Sequence, residues 1–395
     1  MRTNRAWSSQ MNVKAVVMEV PGSLVQKEYP QPSINDDTAV LDVALCGICG
    51  TDKHIYKNES KSHFLDLPTN FPIIPGHEIV GTIESIGKNA SKRMGLLGER
   101  IFEGERVVPV VDLRCEECWN CKNYPGWPVC ERGQTYGWGI TSKNPPYLFG
   151  GFAQKMYLLP NILLAKVPDS VPDNIAVYAE VLSVGCTSFQ RVLHSSNVYG
   201  EGSPIVGDVV IQGSGPLALA HVITARILGA RNIIVVGKPS YRTEYMNKFG
   251  VTKVFNVDES SLEERIPKVL CSLDTRKGAD IVVECTGYPE VVEEGLSYVK
   301  PFGTYVIAGI YTDLGRSSTV NVQKLISGKH VTVVGVSGQT NRSYKTALDI
   351  MEKLASKLPF EEIVTHTFPI GKVDDAMQTA LKEESMKVVI DPQKI

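Results

Sequence analysis

Long apolar runs are missing from this chain of 395 residues. No stretch approaches the ~20 residues that a bilayer-spanning helix needs, which excludes a helical membrane protein. An excess of positive charge is missing as well: 41 lysines and arginines face 43 aspartates and glutamates, for a net charge of −2. No global basic field is available to hold nucleic acid or an anionic membrane, and a small molecule is the expected partner. The segment Met1 to Gln10 carries charge but no apolar centre. It is read as a frayed extension, or as a start placed ahead of Met11, and not as a secretory signal. Internal repeats and low-complexity linkers are also lacking, which removes solenoids from consideration.

The nine cysteines do not have the pattern of a disulfide framework, so a reducing compartment, the cytoplasm, is expected. Four of them do have a pattern: Cys115-Glu-Glu-Cys118-Trp-Asn-Cys121, then Cys130. Zinc–thiolate bonds of ~2.3 Å require convergent sulfurs, and two-residue gaps on a tight loop supply them. Cysteines this close in sequence cannot easily bridge each other, which sets zinc ahead of a disulfide cluster or four unrelated thiols. A fully thiolate site leaves no open position. This zinc would brace a loop, and the chemistry must lie elsewhere.

Upstream, Cys49-Gly-Thr51-Asp-Lys-His54 is followed by Gly76-His77-Glu78. Ligands drawn from separate segments are how an open catalytic metal site is assembled. Singly, Cys49 reads as a small core thiol and His77 as a surface imidazole; beside the four-cysteine lobe the metal reading is stronger. Cys46 stands three before Cys49, so a redox pair has to be weighed, but its apolar flank Leu41-Asp-Val-Ala-Leu45 favours a buried strand thiol.

The chain is long for one core and suggests two domains. Its first part reads as short β segments among dense prolines and glycines: Val13 to Met18, Ala39 to Ala44, Glu78 to Ile83 and Arg106 to Val111. From about Ser188, apolar strands alternate with helical patterns, at Asp208 to Ile211, Ile233 to Val236, Lys253 to Phe255, Ile281 to Val283 and Tyr305 to Ala308. That texture predicts a doubly wound parallel sheet. A helix over 343–358 and a strand at Lys387 to Ile390 follow. Asp208-Val-Val-Ile-Gln-Gly213-Ser214-Gly215-Pro216-Leu217-Ala218 is a strand, a glycine turn and a helix start. Gly213 permits the turn, Gly215 lets backbone amides approach a pyrophosphate, and Ala218 allows close helix packing.

Taken in order, Cys49-Gly-Thr51-Asp, Gly76-His77-Glu78, the four-cysteine lobe and Gly213-Ser-Gly215-Pro-Leu-Ala218 resemble the zinc-containing medium-chain dehydrogenases, from about Val13 to Ile390. Glu180-Val-Leu-Ser-Val-Gly185 is similar to the Glu-Pro-Leu-Ser-Val segment of the polyol branch, which includes sorbitol, threonine and butanediol dehydrogenases. Liver-type alcohol dehydrogenases carry a zinc-binding cysteine there. Val181 replaces the branch's proline, and eight residues separate Cys121 from Cys130, one more than is usual, which a loop absorbs.

The resemblance implies an α/β fold with a Rossmann domain inserted in a β-rich, GroES-like catalytic domain. The expected bounds are 1–187 for the catalytic domain with its zinc lobe at 115–130, 188–336 for the dinucleotide-binding domain, and 337–395 for the return. It also implies a homodimer or homotetramer and two Zn²⁺ per subunit, one structural and one catalytic. Cys49 and His77 would ligate the catalytic zinc, with Glu78 or Glu180 completing it. Thr51 and His54 would relay the proton while hydride passes between a secondary alcohol or polyol and NAD(P).

The second Rossmann strand should end in a carboxylate for the ribose of NAD, yet it runs into Gly237-Lys238-Pro-Ser240-Tyr-Arg242. The missing carboxylate removes repulsion against a 2′-phosphate, which Lys238, Ser240 and Arg242 could contact, so NADP is set ahead of NAD. Competing readings are a zinc-free enone or quinone reductase, which would lack the Cys49, His77 and Glu180 set, and a zinc ribbon for nucleic acid, which the spacing and charge oppose. A catalytically silent or specialised dinucleotide-binding protein would keep the ligands without turnover.

Overall fold

The computed structural model describes residues 12–59, 69–194, 207–310, 313–382 and 384–394. The reading of Met1 to Gln10, and His63 in the insertion after Lys57, fall outside these residues. In the first part of the chain the strands are β1 (Asn12–Met18), β2 (Leu24–Pro30), β3 (Ala39–Gly47), β4 (Glu78–Ile86), β5 (Arg106–Val110), β6 (Lys155–Leu158) and β7 (Leu163–Lys166). Next come β8 (Asp208–Gln212), β9 (Asn232–Gly237), β10 (Lys253–Asn256), β11 (Ala279–Glu284), β12 (Val299–Ile307) and β13 (Thr332–Gly335), and finally β14 (Val364–Pro369) and β15 (Lys387–Asp391).

β1 and β2 form an antiparallel pair. The larger sheet of this half has the order β14-β15-β3-β4-β5-β7, with β6 joined to β3. The last strand of the chain therefore sits beside β3, in the sheet of the first part. Register decides what meets at its end. Gly47 pairs with Glu78 across β3 and β4, and Val389 of β15 pairs with Gly47 on the other side. Cys49, His77 and Lys387 consequently leave one end of one sheet, although they come from three segments.

β8 to β13 form the second sheet, parallel throughout, in the order β10-β9-β8-β11-β12-β13. Parallel strands covered on both faces must be apolar along their length, and every residue of β8 is buried. Chain order reverses between β8 and β11, the place where an open α/β sheet leaves a crevice at its carboxyl ends. The helix Ala179–His194 packs against helices Pro216–Ile227 and Asn341–Leu354, joining both halves over a shared apolar core. Among the described residues no helix is long and apolar enough to cross a membrane.

Candidate active site

Cys49 caps the helix Gly50–Tyr56. Its extended backbone (φ −87°, ψ 166°) turns the chain out of β3, and its amide donates to Asp52 Oδ2 at 2.8 Å. The other oxygen of Asp52 accepts from the amide of Gly76 at 3.2 Å and lies 3.8 Å from His77 Nδ1. One buried carboxylate thus ties the segment bearing Cys49 to the one bearing His77. Gly76 is required at the junction: its φ is +92°, and a Cβ there would stand 2.5 Å from Cys46 Sγ and 2.6 Å from Phe152 Cδ1. Cys46 is a buried strand thiol, and the cysteines are all free.

His77 is buried, and its Nδ1 has no hydrogen-bond partner among the described residues. Burial alone would lower its pKa, but Asp52, Cys49 and Glu180 outweigh it and hold the imidazole well above its ordinary value. Burial pushes Glu180 up to about 7, Glu78 adding to the effect and His77 opposing it. A thiol, an imidazole and a raised carboxyl in each other's fields make a donor set that suits a divalent cation.

The two candidate glutamates differ in what already holds them. Glu78 is fully buried, and both its oxygens meet Lys387 Nζ, at 2.6 and 2.5 Å. Lys387 also donates to Ile48 O at 3.3 Å. Among the described residues the Glu180 carboxyl accepts only from a neutral donor, Gln339 Nε2 at 2.9 Å, and Gln339 bonds in turn to Tyr344 Oη at 2.6 Å. The one group, among the described residues, of three or more histidine, cysteine or carboxylate side chains whose donor atoms all lie within 4.8 Å of one another is Cys115, Cys118, Cys121 and Cys130. Cys49, His77 and Glu180 face one cleft at wider spacing, with Gln339 holding the carboxyl of Glu180.

In the lobe, backbone amides of Cys115, Cys118 and Cys121 point at the sulfurs of Cys130, Cys115 and Cys118, at 3.4, 3.3 and 3.4 Å. Amide hydrogens aimed at sulfur favour thiolates and push Cys115 down to about 6, whereas burial and neighbouring thiols push Cys121 up to about 12. A cation would be needed to ionise all four, so the cluster fits a structural zinc. The lobe is anchored on the loop that leads into the helix Asn341–Leu354: Asn341 N donates to Gly126 O at 3.0 Å, Arg114 Nη2 donates to Asn341 Oδ1, and Pro128 touches the space beside Gly338. Gln339 lies within that anchoring loop.

A cavity of about 580 Å³ contains Cys49, Thr51, His54, His77, Glu78 and Glu180 together with the turn from Gly213 to Leu217, Gly237, Lys238 and Arg242. Gly213 has φ +113°, and a Cβ at Gly215 would meet nothing within 4 Å, which leaves the cradle open to a phosphate. Thr51 Oγ1 is 3.9 Å from Cys49 Sγ, and His54 Nδ1 is 3.0 Å from Glu59 Oε2. At the expected 2′-phosphate position, Lys238 pairs with Asp258 at 3.2 Å, Ser240 accepts from Asn256, and Arg242 Nε donates to Ser385 O at 2.8 Å. A Cβ at Gly237 would lie 3.0 Å from Gly213, a tight approach. Of the aromatic segment after Tyr136, Trp138 lines the cavity, while Tyr136 is a core residue bonded to Tyr157 O and Leu159 N.

Sequence reasoning assigned no part to Asp52, Gln339 or Lys387. Asp52 stood inside a quoted motif and its spacing as a capping residue was a usable signal; Gln339 and Lys387 carried none.

Residues 35–169 match the alcohol dehydrogenase GroES-like domain, and residues 216–353 match the zinc-binding dehydrogenase domain. The L-threonine 3-dehydrogenase of Idiomarina loihiensis is 28% identical over 92% of this chain and 94% of its own. The D-xylulose reductase A of Aspergillus oryzae is 26% identical over 92% of each. The crystal structure of an alcohol dehydrogenase from Thermotoga maritima superposes with a TM-score of 0.85 at 24% identity, covering 96% of this chain and 99% of that one. With both halves matched and the four-thiol lobe in place, the chain belongs to the zinc-binding medium-chain dehydrogenases, the NAD(P)-dependent enzymes of the alcohol and polyol dehydrogenase family.

Proposed function

We propose that the protein reversibly oxidises a secondary alcohol or polyol to a ketone, with hydride passing to NAD(P). The observation that carries this reading is the meeting of Cys49, His77 and Glu180 in the cavity that the glycine turn of β8 also lines. The relatives named for L-threonine and D-xylulose support a small hydroxylated substrate.

Cys49, His77 and Glu180 would hold the catalytic zinc, which when bound supplies Lewis-acid polarisation of the substrate oxygen, and NAD(P) supplies the hydride acceptor. Cys115, Cys118, Cys121 and Cys130 would hold the structural zinc. Glu78 is assigned to Lys387, whose ammonium already occupies both its oxygens. Asp52 stands behind the His77 ring and orients it. Thr51 takes the substrate's hydroxyl proton and His54 passes it outward, the imidazole being held by Glu59 at the mouth.

NADP is favoured over NAD. Gly237 offers no charge to repel a 2′-phosphate, and the Lys238–Asp258 pair is half-exposed, an interaction of about 0–1 kcal/mol that a phosphate can replace. The catalytic domain is assigned to 1–187 and 337–395, with 188–336 inserted, and the assembly to a homodimer or homotetramer.

The test is reduction of NADP and NAD, followed by absorbance, across secondary alcohols, diols and sugars. Turnover that Cys49→Ser abolishes while zinc stays in the lobe is expected. Turnover retained by Cys49→Ser would overturn the ligand assignment, and silence of the zinc-loaded wild type across the panel would overturn the reaction.

A further inference from the structure

Five residues of the helix Gly50–Tyr56 and its C-cap line the cavity: Gly50, Thr51, Lys53, His54 and Lys57. Lys53, His54 and Lys57 follow Gly50 by three, four and seven, which places these four on one helical face. Two of the three basic groups on that face are matched. Glu59 takes His54 at 3.0 Å and Lys57 at 3.7 Å. The Lys53 side chain has no hydrogen bond or ion pair among the described residues, and the wall one turn back is open, since a Cβ at Gly50 meets nothing within 4 Å.

Holding an ammonium inside a cleft without a counter-charge is unfavourable. Burial first, then Arg242, push the pKa of Lys53 down to about 8; Lys387 adds to this, while Cys49 and Glu78 oppose it. Lys53 shares the wall of this cavity with Arg242 and Cys49. Arg242 belongs to the helix Ser240–Asn247 that follows β9, and Cys49 belongs to the proposed metal cluster. Between these two ends the cavity wall is the turn Gly213–Leu217, which opens at Gly215. A dinucleotide lying from β9 to the metal cluster has its two phosphates midway.

We propose that Lys53 is an anion-binding residue of this cleft and that its partner is the diphosphate of the dinucleotide. It faces the glycine turn from the other domain, so that amides on one side and an ammonium on the other close on the same phosphates. The substrate's own anionic group is the other source of the same chemistry. This inference rests on the dinucleotide reading of the cleft.

The experiment is fluorescence titration of the zinc-loaded wild type, Lys53→Gln and Lys53→Arg with NADH, NADPH and ADP-ribose, followed by KM for neutral and for carboxylated or phosphorylated alcohols. Zinc content and melting temperature verify each fold, and Lys53→Arg retains the charge if Lys53→Gln folds poorly. Lys53→Gln is expected to weaken all three ligands together by about tenfold, the scale of one charged hydrogen bond, with Lys53→Arg close to wild type. Loss for NADPH alone would move Lys53 to the 2′-phosphate and overturn the assignment. Unchanged dinucleotide binding with a raised KM confined to anionic alcohols would transfer the residue to the substrate and overturn it equally. Equal binding by wild type and Lys53→Gln throughout overturns this inference alone; a wild type that binds no dinucleotide overturns the cofactor reading with it.

Discussion

Lys387 Nζ lies 2.6 Å from Oε1 of Glu78, across 309 positions of sequence, and both side chains are almost wholly buried. A pair this deep is weak evidence for stability as a unit, because desolvation offsets attraction, but removing one member strands the other charge. Lys387→Met should therefore destabilise the protein by roughly 3–5 kcal/mol, read as a lowered denaturant midpoint. Burial would lower the pKa of Lys387, yet Glu78 raises it above the ordinary 10.5. That stabilisation is present below 10.5 and is lost as pH rises through the folded value. A wild type no less stable at alkaline pH, or a silent Lys387→Met, would contradict this account.

Zinc uptake at the catalytic set should depend on pH in a defined direction. Burial holds Glu180 up to about 7, so its contribution to the stability of metal-depleted protein is present below its ordinary 4.5 and declines as pH rises through 7. Zinc needs the deprotonated carboxylate, and the raised imidazole of His77 must also lose its proton. Affinity is expected to climb by tenfold or more from about pH 6 to 8, and Glu180→Gln should flatten the climb. Competition with a chromophoric chelator measures both.

Gly237→Asp should restore a carboxylate beside the adenosine ribose and turn preference toward NAD, lowering kcat/KM for NADPH by about tenfold or more. Its Cβ would press on Gly213 at 3.0 Å, so Gly237→Ala is the control for crowding alone. An unchanged cofactor ratio in Gly237→Asp would remove the position from cofactor choice.

Cys115→Ser opens the thiolate lobe. Loss of one zinc and a lowered melting temperature are expected, with alcohol turnover reduced less than by Cys49→Ser. Zinc analysis beside calorimetry decides, and full metal content in the variant would contradict a four-thiolate site.

What the sequence made legible follows the range of the interactions. Strands buried on both faces, such as β8, β9 and β11, announce themselves as apolar runs. β2, Leu-Val-Gln-Lys-Glu-Tyr-Pro, does not, because it is largely exposed and, among the described residues, paired only with β1. The helix expected to reach residue 358 ends at Leu354: Ala355 caps it, and Leu358 is buried from a turn before Pro359. Cys49, His77 and the four lobe cysteines were visible because ligands cluster in short motifs. Gln339 and Lys387 were not, because contacts across 159 and 309 residues are created by register and packing and leave no local pattern.

The loop that ends in Asn341 has two employers. Its backbone is pinned to Gly126 of the metal lobe, and its Gln339 grips Glu180 in the catalytic cleft. Lobe and cleft are therefore not independent modules that selection can adjust one at a time. An insertion or deletion between Cys121 and Cys130 would be felt at Glu180 through a distance of two residues, so the length of a loop that never meets substrate becomes part of the tuning of the chemistry.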